Sequence, residues 1–199
     1  MNARWLIVAG IGLVIVTLSI VFARRPSISP TESRLFHAVN RLPDGLFPVL
    51  WLPMQLGNLV VGTLAGLLVA LVDGDLAVAI GVVLATALKL VVERVVRKEM
   101  ADALAVRQRP GTSQVDAILR GGDVPTSGPS FPSGHVILVA GIGCVVAANL
   151  PSNWWSVPLI LTVLVMVGRV YVGAHNPLDV AAGLGAGLVL GGAVATLVN

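Results

Sequence analysis

Long apolar runs separated by short polar connections dominate this chain. Windows of about 19 residues mark six candidate spans, at residues 5–23, 46–72, 76–96, 136–150, 154–172 and 178–198. Most approach the roughly 20 residues that cover a hydrocarbon core. The second is longer and holds Pro48 and Pro53, which predicts a tilt or a kink. The fourth is short, which predicts that it starts inside a polar cavity. Arg4 precedes the first span and Arg24 and Arg25 end it; its length and basic stop predict a retained helix, not a cleaved signal. The expected fold is all-α, an integral membrane bundle of six transmembrane helices forming a single domain over residues 1–199.

Two connections stand out. Residues 24–44 are polar and partly amphipathic, with Leu35, Phe36, Val39 and Leu42 at helical intervals, which predicts an N-terminal helix lying in the membrane interface. His37 belongs to that helix as a bystander. The stretch 98–132 is the one long polar loop, rich in Gly, Pro, Ser and Asp, and a loop of that length in a compact fold predicts an active-site role. Within the spans, Gly62 and Gly66, and Gly183, Gly187 and Gly191, recur every four residues, a pattern that lets helix backbones approach closely in lipid.

Composition narrows the function classes. With 56% hydrophobic and 12% charged residues in 199, the chain lacks the polar surface of a water-soluble domain. The net charge of +3 does not signal nucleic acid, because the basic residues punctuate the spans and carry no interleaved aromatic platform. Anionic lipid is the expected partner. Cys144 is the one cysteine, which excludes disulfides and cysteine-rich metal sites within the chain.

Six alternating helices bring the end of the third, the start of the fourth and the end of the fifth to one membrane face. Polar clusters lie at all three places, at 107–110, 132–135 and 169–179, and such convergence is what a site needs. Ser133 stands as a helix cap, and Gly134 lets an anion approach the amides of the helix that follows. Arg169 ends one helix. His175 and Asp179 stand four residues apart at the start of the next, where the carboxylate is expected to hold one imidazole nitrogen and free the other for attack.

Pro132-Ser133-Gly134-His135, followed by Arg169, His175 and Asp179 at matching spacing, resembles the type 2 phosphatidic acid phosphatases, a family of membrane lipid phosphatases. Their motifs run Lys, six residues, Arg-Pro; Pro-Ser-Gly-His; and Ser-Arg, five residues, His, three residues, Asp. Two departures occur. Gly168 stands in place of the serine, and Asp102, seven residues before Arg109, stands in place of the lysine. Lys89 and Arg97 fall within about 80° of each other on a continuous helix and are the expected substitutes.

The resemblance implies hydrolysis of a lipid phosphate or polyprenyl diphosphate through a phosphohistidine, with neither metal nor other cofactor. His175 is then the nucleophile, oriented by Asp179, and His135 the acid. Arg169, Arg109, Lys89, Arg97 and the backbone near Ser133 and Gly134 bind the phosphoryl oxygens. A phosphotransferase on the same scaffold, or a non-catalytic lipid-phosphate binding or transport protein, fits the same residues. The resemblance also implies a multi-pass plasma-membrane protein whose site faces outward. Counting Lys and Arg points the other way, because only Arg4 falls on the face opposite the site.

Overall fold

A computed structural model describes residues 3–25, 27–103, 107–122 and 124–198, without the side chains of residues 97 and 99–103. The described residues form no named strand. Nine α-helices follow in order: α1 (Ala3–Ala23), α2 (Pro30–Asn40), α3 (Phe47–Met54), α4 (Leu59–Asp73), α5 (Leu76–Ala103), α6 (Pro110–Ser113), α7 (Gly134–Asn149), α8 (Ser156–Tyr171) and α9 (Pro177–Val198).

Of the six expected spans, four appear among the described residues as helices long and apolar enough to cross a membrane. They are 3–23, 76–96, 152–171 and 177–198. The second expected span is a broken pair, Asp44–Gly57 and Leu59–Asp73, bent by 76°. Asn58 makes the break. It is extended, with ψ 136, and its side chain accepts the N–H groups of Val60 and Val61, so a new helix is capped where the old one stops. The fourth, α7, has 16 residues, about 24 Å of helix against a core of about 30 Å. One of its ends must therefore lie below the membrane surface. Twelve of its residues are buried, which makes it the central helix of the bundle.

Small residues set how close the helices come. On α9 the Gly183, Gly187 and Gly191 stripe faces α7, and a Cβ at Gly187 would lie 2.6 Å from that of Ala140. Gly185 on the next face meets Gly12 and Val16 of α1. With no hydrophobic drive between helices in lipid, such contact is what holds them.

The N-terminal α2 does not simply float in the interface as expected. Ser29 caps it, and Phe36 is wholly buried among Val136, Val139, Val165, Val170 and Val180 of α7, α8 and α9. Leu35 alone of the two adjacent apolar residues stays exposed. Asn40 bonds the carbonyls of Ile118 and Tyr171 and accepts the Ile118 N–H, clamping the long loop onto the bundle. Arg120 of that loop bonds the carbonyls of Asn40 and Tyr171 and the carboxylate of Asp44.

Candidate active site

The loop between α5 and α7 returns on itself. Ser130 N–H donates to Arg107 O at 2.9 Å and Arg109 N–H to Gly128 O at 3.1 Å, so residues 107–109 and 128–130 lie side by side. That pairing sets Arg109 next to Ser130 at the bundle end where α7 begins and α8 stops. The resulting cavity, of about 310 Å³, is lined by Lys89 and Glu93 of α5, Arg109, Gly134 and His135 of α7, Arg169 of α8 and His175. Gly57 and Asn58 from the α3–α4 break form another wall; nothing in the sequence beyond the prolines marked that break as part of the site.

His175 sits in the turn between α8 and α9, before α9 starts, with its N–H on Arg169 O at 3.2 Å. Its Nδ1 is 2.8 Å from the carbonyl oxygen of Ser130. A carbonyl only accepts, so Nδ1 carries the proton and the neutral ring keeps its lone pair on Nε2. Burial, and then the nearby guanidinium groups of Arg169 and Arg109, push the imidazole well below its ordinary pKa. The ring is thus held neutral, in one tautomer, with a nucleophilic nitrogen.

The expected His175–Asp179 hydrogen bond is not formed. His175 precedes the helix, so four residues of separation do not place the two on one helical face. Asp179 is the third residue of α9, and its Oδ2 accepts the N–H of Asn176 at 2.8 Å, the reach-back half of a capping box. Its Oδ1 accepts from Arg107 Nε at 2.9 Å. Arg107 also pairs with Glu32 of α2, and Glu32 in turn accepts the N–H of Leu178 at 3.0 Å. This buried network of Arg107, Glu32 and Asp179 holds the start of α9, and with it the turn bearing His175. Sequence reasoning missed Glu32 and the carbonyl of Ser130.

Ser133, expected beside the phosphoryl group, does not line the cavity. Its N–H donates to the Asp179 carbonyl at 3.0 Å, and a Cβ at Gly183 would come within 3.3 Å of its own. It faces α9, not the cavity, so its amide is spent on the bundle. Gly134 and His135 do line the cavity, and the ring of His135 packs against Gly57. Arg109 is steadied by the Ala174 carbonyl at 2.9 Å. Lys89 reaches the cavity as expected, 2.7 Å from Glu93. Arg97 lies on α5, its side chain outside the described residues.

Comparison with known proteins identifies the family and supports the fold. The model of the PAP2 superfamily matches residues 74–199. In fold, the chain is similar to the first transmembrane PAP2 type phosphatidylglycerolphosphate phosphatase from Bacillus subtilis, with a TM-score of 0.72 and 20% identity over 94% of this chain and 95% of that one. It is also similar to LpxE of Aquifex aeolicus, with a TM-score of 0.67 and 21% identity over 82% of this chain and 93% of that one. A stretch of 54 residues is 44% identical to an undecaprenyl-diphosphatase of Sulfolobus acidocaldarius. That match spans 27% of this chain and 26% of the relative.

Proposed function

The chain belongs to the PAP2 superfamily of membrane phosphatases, and from that premise we propose that it hydrolyses a lipid phosphate or a polyprenyl diphosphate through a phosphohistidine on His175. The observation that carries this is the pairing of His175 Nδ1 with a backbone carbonyl beside two guanidinium groups. A neutral imidazole with a free Nε2 attacks phosphorus; Arg109 and Arg169 meet the equatorial oxygens, where charge spreads in the transition state.

His135, which lines the same cavity from the first turn of α7, gives its proton to the departing lipid oxygen and then takes one from the water that hydrolyses the phosphoenzyme. Asp179 and Arg107 act at a distance, by fixing the turn. A lipid substrate follows from position. The cavity lies at one end of an apolar bundle, so a headgroup reaches it while its chains stay in the bilayer. The undecaprenyl-diphosphatase relative favours a polyprenyl diphosphate within that class, and the family resemblance favours a site on the outer face of the plasma membrane, against the count of Lys and Arg.

The test is a panel of lipid phosphates and diphosphates offered to purified protein in detergent with EDTA. Phosphate release from at least one, lost by about 10³-fold or more in folded His175→Ala, is the expected result. Phosphate binding without release in the wild type favours the non-catalytic reading, and transfer to an added alcohol in place of water the transferase.

A further inference from the structure

The phosphohistidine chemistry gives Glu93 no task, yet its side chain lines the same cavity. It lies one turn beyond Lys89 on α5, with Oε2 2.7 Å from the Lys89 ammonium, and the two side chains are only 15% and 10% exposed. The carboxylate also reaches across to α7. A Cβ on residue 134 would overlap Glu93 Oε1 and lie 2.7 Å from the carboxyl carbon. Gly134 is the first residue of α7, so an anion of the chain itself rests against the opening turn of a helix, where unpaired N–H groups and the positive end of the dipole favour negative charge. The phosphoryl group must come to the same place, within reach of His135, Arg109 and Arg169.

We propose that Glu93 is a displaceable internal ligand of the phosphoryl subsite. It holds Lys89 and covers the start of α7; an entering phosphate displaces it and takes over both. An ordinary pair four residues apart on a helix faces solvent and does little. This one is buried against a glycine and shares its cavity with two arginines and two histidines. Phosphate and carboxylate cannot both occupy that corner without strong like-charge repulsion. The consequence is selectivity against small anions: inorganic phosphate must evict Glu93 with few contacts of its own, whereas a lipid substrate also has its chain contacts to draw on. Release of product phosphate is eased for the same reason.

This inference rests on the phosphatase reading of the cavity, and the experiment separates the two. The probe is inorganic phosphate, binding to the full chain in detergent, measured directly and as a competitor of turnover. Glu93→Gln keeps the size of the side chain and removes its charge. It should tighten phosphate binding by about tenfold or more, the scale of a removed like charge. KM and kcat should fall together, as substrate binds better and product leaves more slowly. Lys89→Met should weaken phosphate binding little in the wild type, where the lysine trades one anion for another, and by about tenfold in the Glu93→Gln background. Phosphate binding that is unchanged or weaker in Glu93→Gln overturns the proposal, even with a sound subsite shown by loss of binding in Arg169→Ala. If the wild type and every variant fail to bind phosphate, the reading of the cavity falls, and the role of Glu93 with it.

Discussion

At the scale of single residues, the site depends on which group holds His175 Nδ1. Ser130 does so through its backbone, and a backbone carbonyl cannot be titrated. The pH behaviour of His175, the proposed nucleophile, is then set by burial and by the arginines, which lower its pKa. With a lowered pKa the ring stays neutral as pH falls through about 6.5, the ordinary imidazole value. The acid limb of kcat/KM due to His175 therefore lies well below that. Asp179→Asn should leave the limb where it is, because this carboxylate is committed to Arg107 and Asn176. Its cost should appear in stability instead, about 3–5 kcal/mol, since Arg107 is left as a buried charge lacking one of its partners. Thermal unfolding in detergent alongside a pH–rate profile checks both. A limb displaced by a full unit at unaltered stability would return Asp179 to the imidazole.

At the scale of elements, the close contact of α9 with α7 carries the bundle, and glycine makes that contact. Gly187→Leu would set a branched side chain where even a Cβ comes within 2.6 Å of Ala140 and 2.8 Å of Ile137 O. A loss of about 1–3 kcal/mol is expected from overpacking of this kind. Gly10→Leu on α1, with nothing within 4 Å, should change little in the same unfolding assay. The four-residue glycine spacing was legible because helical periodicity alone decides which residues share a face. The start of α7 was legible for a similar reason, since Pro132 to His135 read as a helix entry. What could not be read were contacts made through backbone or across distant segments. Ser130 O meets His175 and Glu32 meets Arg107 because the two limbs of the long loop, at Arg107 and at Ser130, fold back on α2 and the start of α9, and no periodicity encodes that path. The His175–Asp179 spacing misled because Asp179 is taken up by the Asn176 N–H and by Arg107, a partner 72 residues away that no local spacing reveals.

For the whole molecule, the shortness of α7 and the bend at Asn58 serve one purpose. Both end apolar helix at the same cavity, and the loop between α5 and α7 walls the rest of it. Charged groups are thereby kept beside the bilayer without facing its hydrocarbon, where each would be costly. Arg4 stacks on Trp155 at 4.2 Å from its ring, away from the cavity, and so marks the opposite end. On the proposed mechanism the phosphoryl group is transferred to His175, with the lipid oxygen leaving on the far side, before water takes it off, so for part of each turnover it is bonded to the protein. The most direct measurement traps it. Purified protein is mixed with a lipid diphosphate or monophosphate carrying a labelled terminal phosphate, quenched in alkali where phosphohistidine survives, and mapped by peptide. The label should appear on the peptide containing His175, and be absent from His175→Ala. Turnover with no label on the protein, or with label on another residue, would contradict the account.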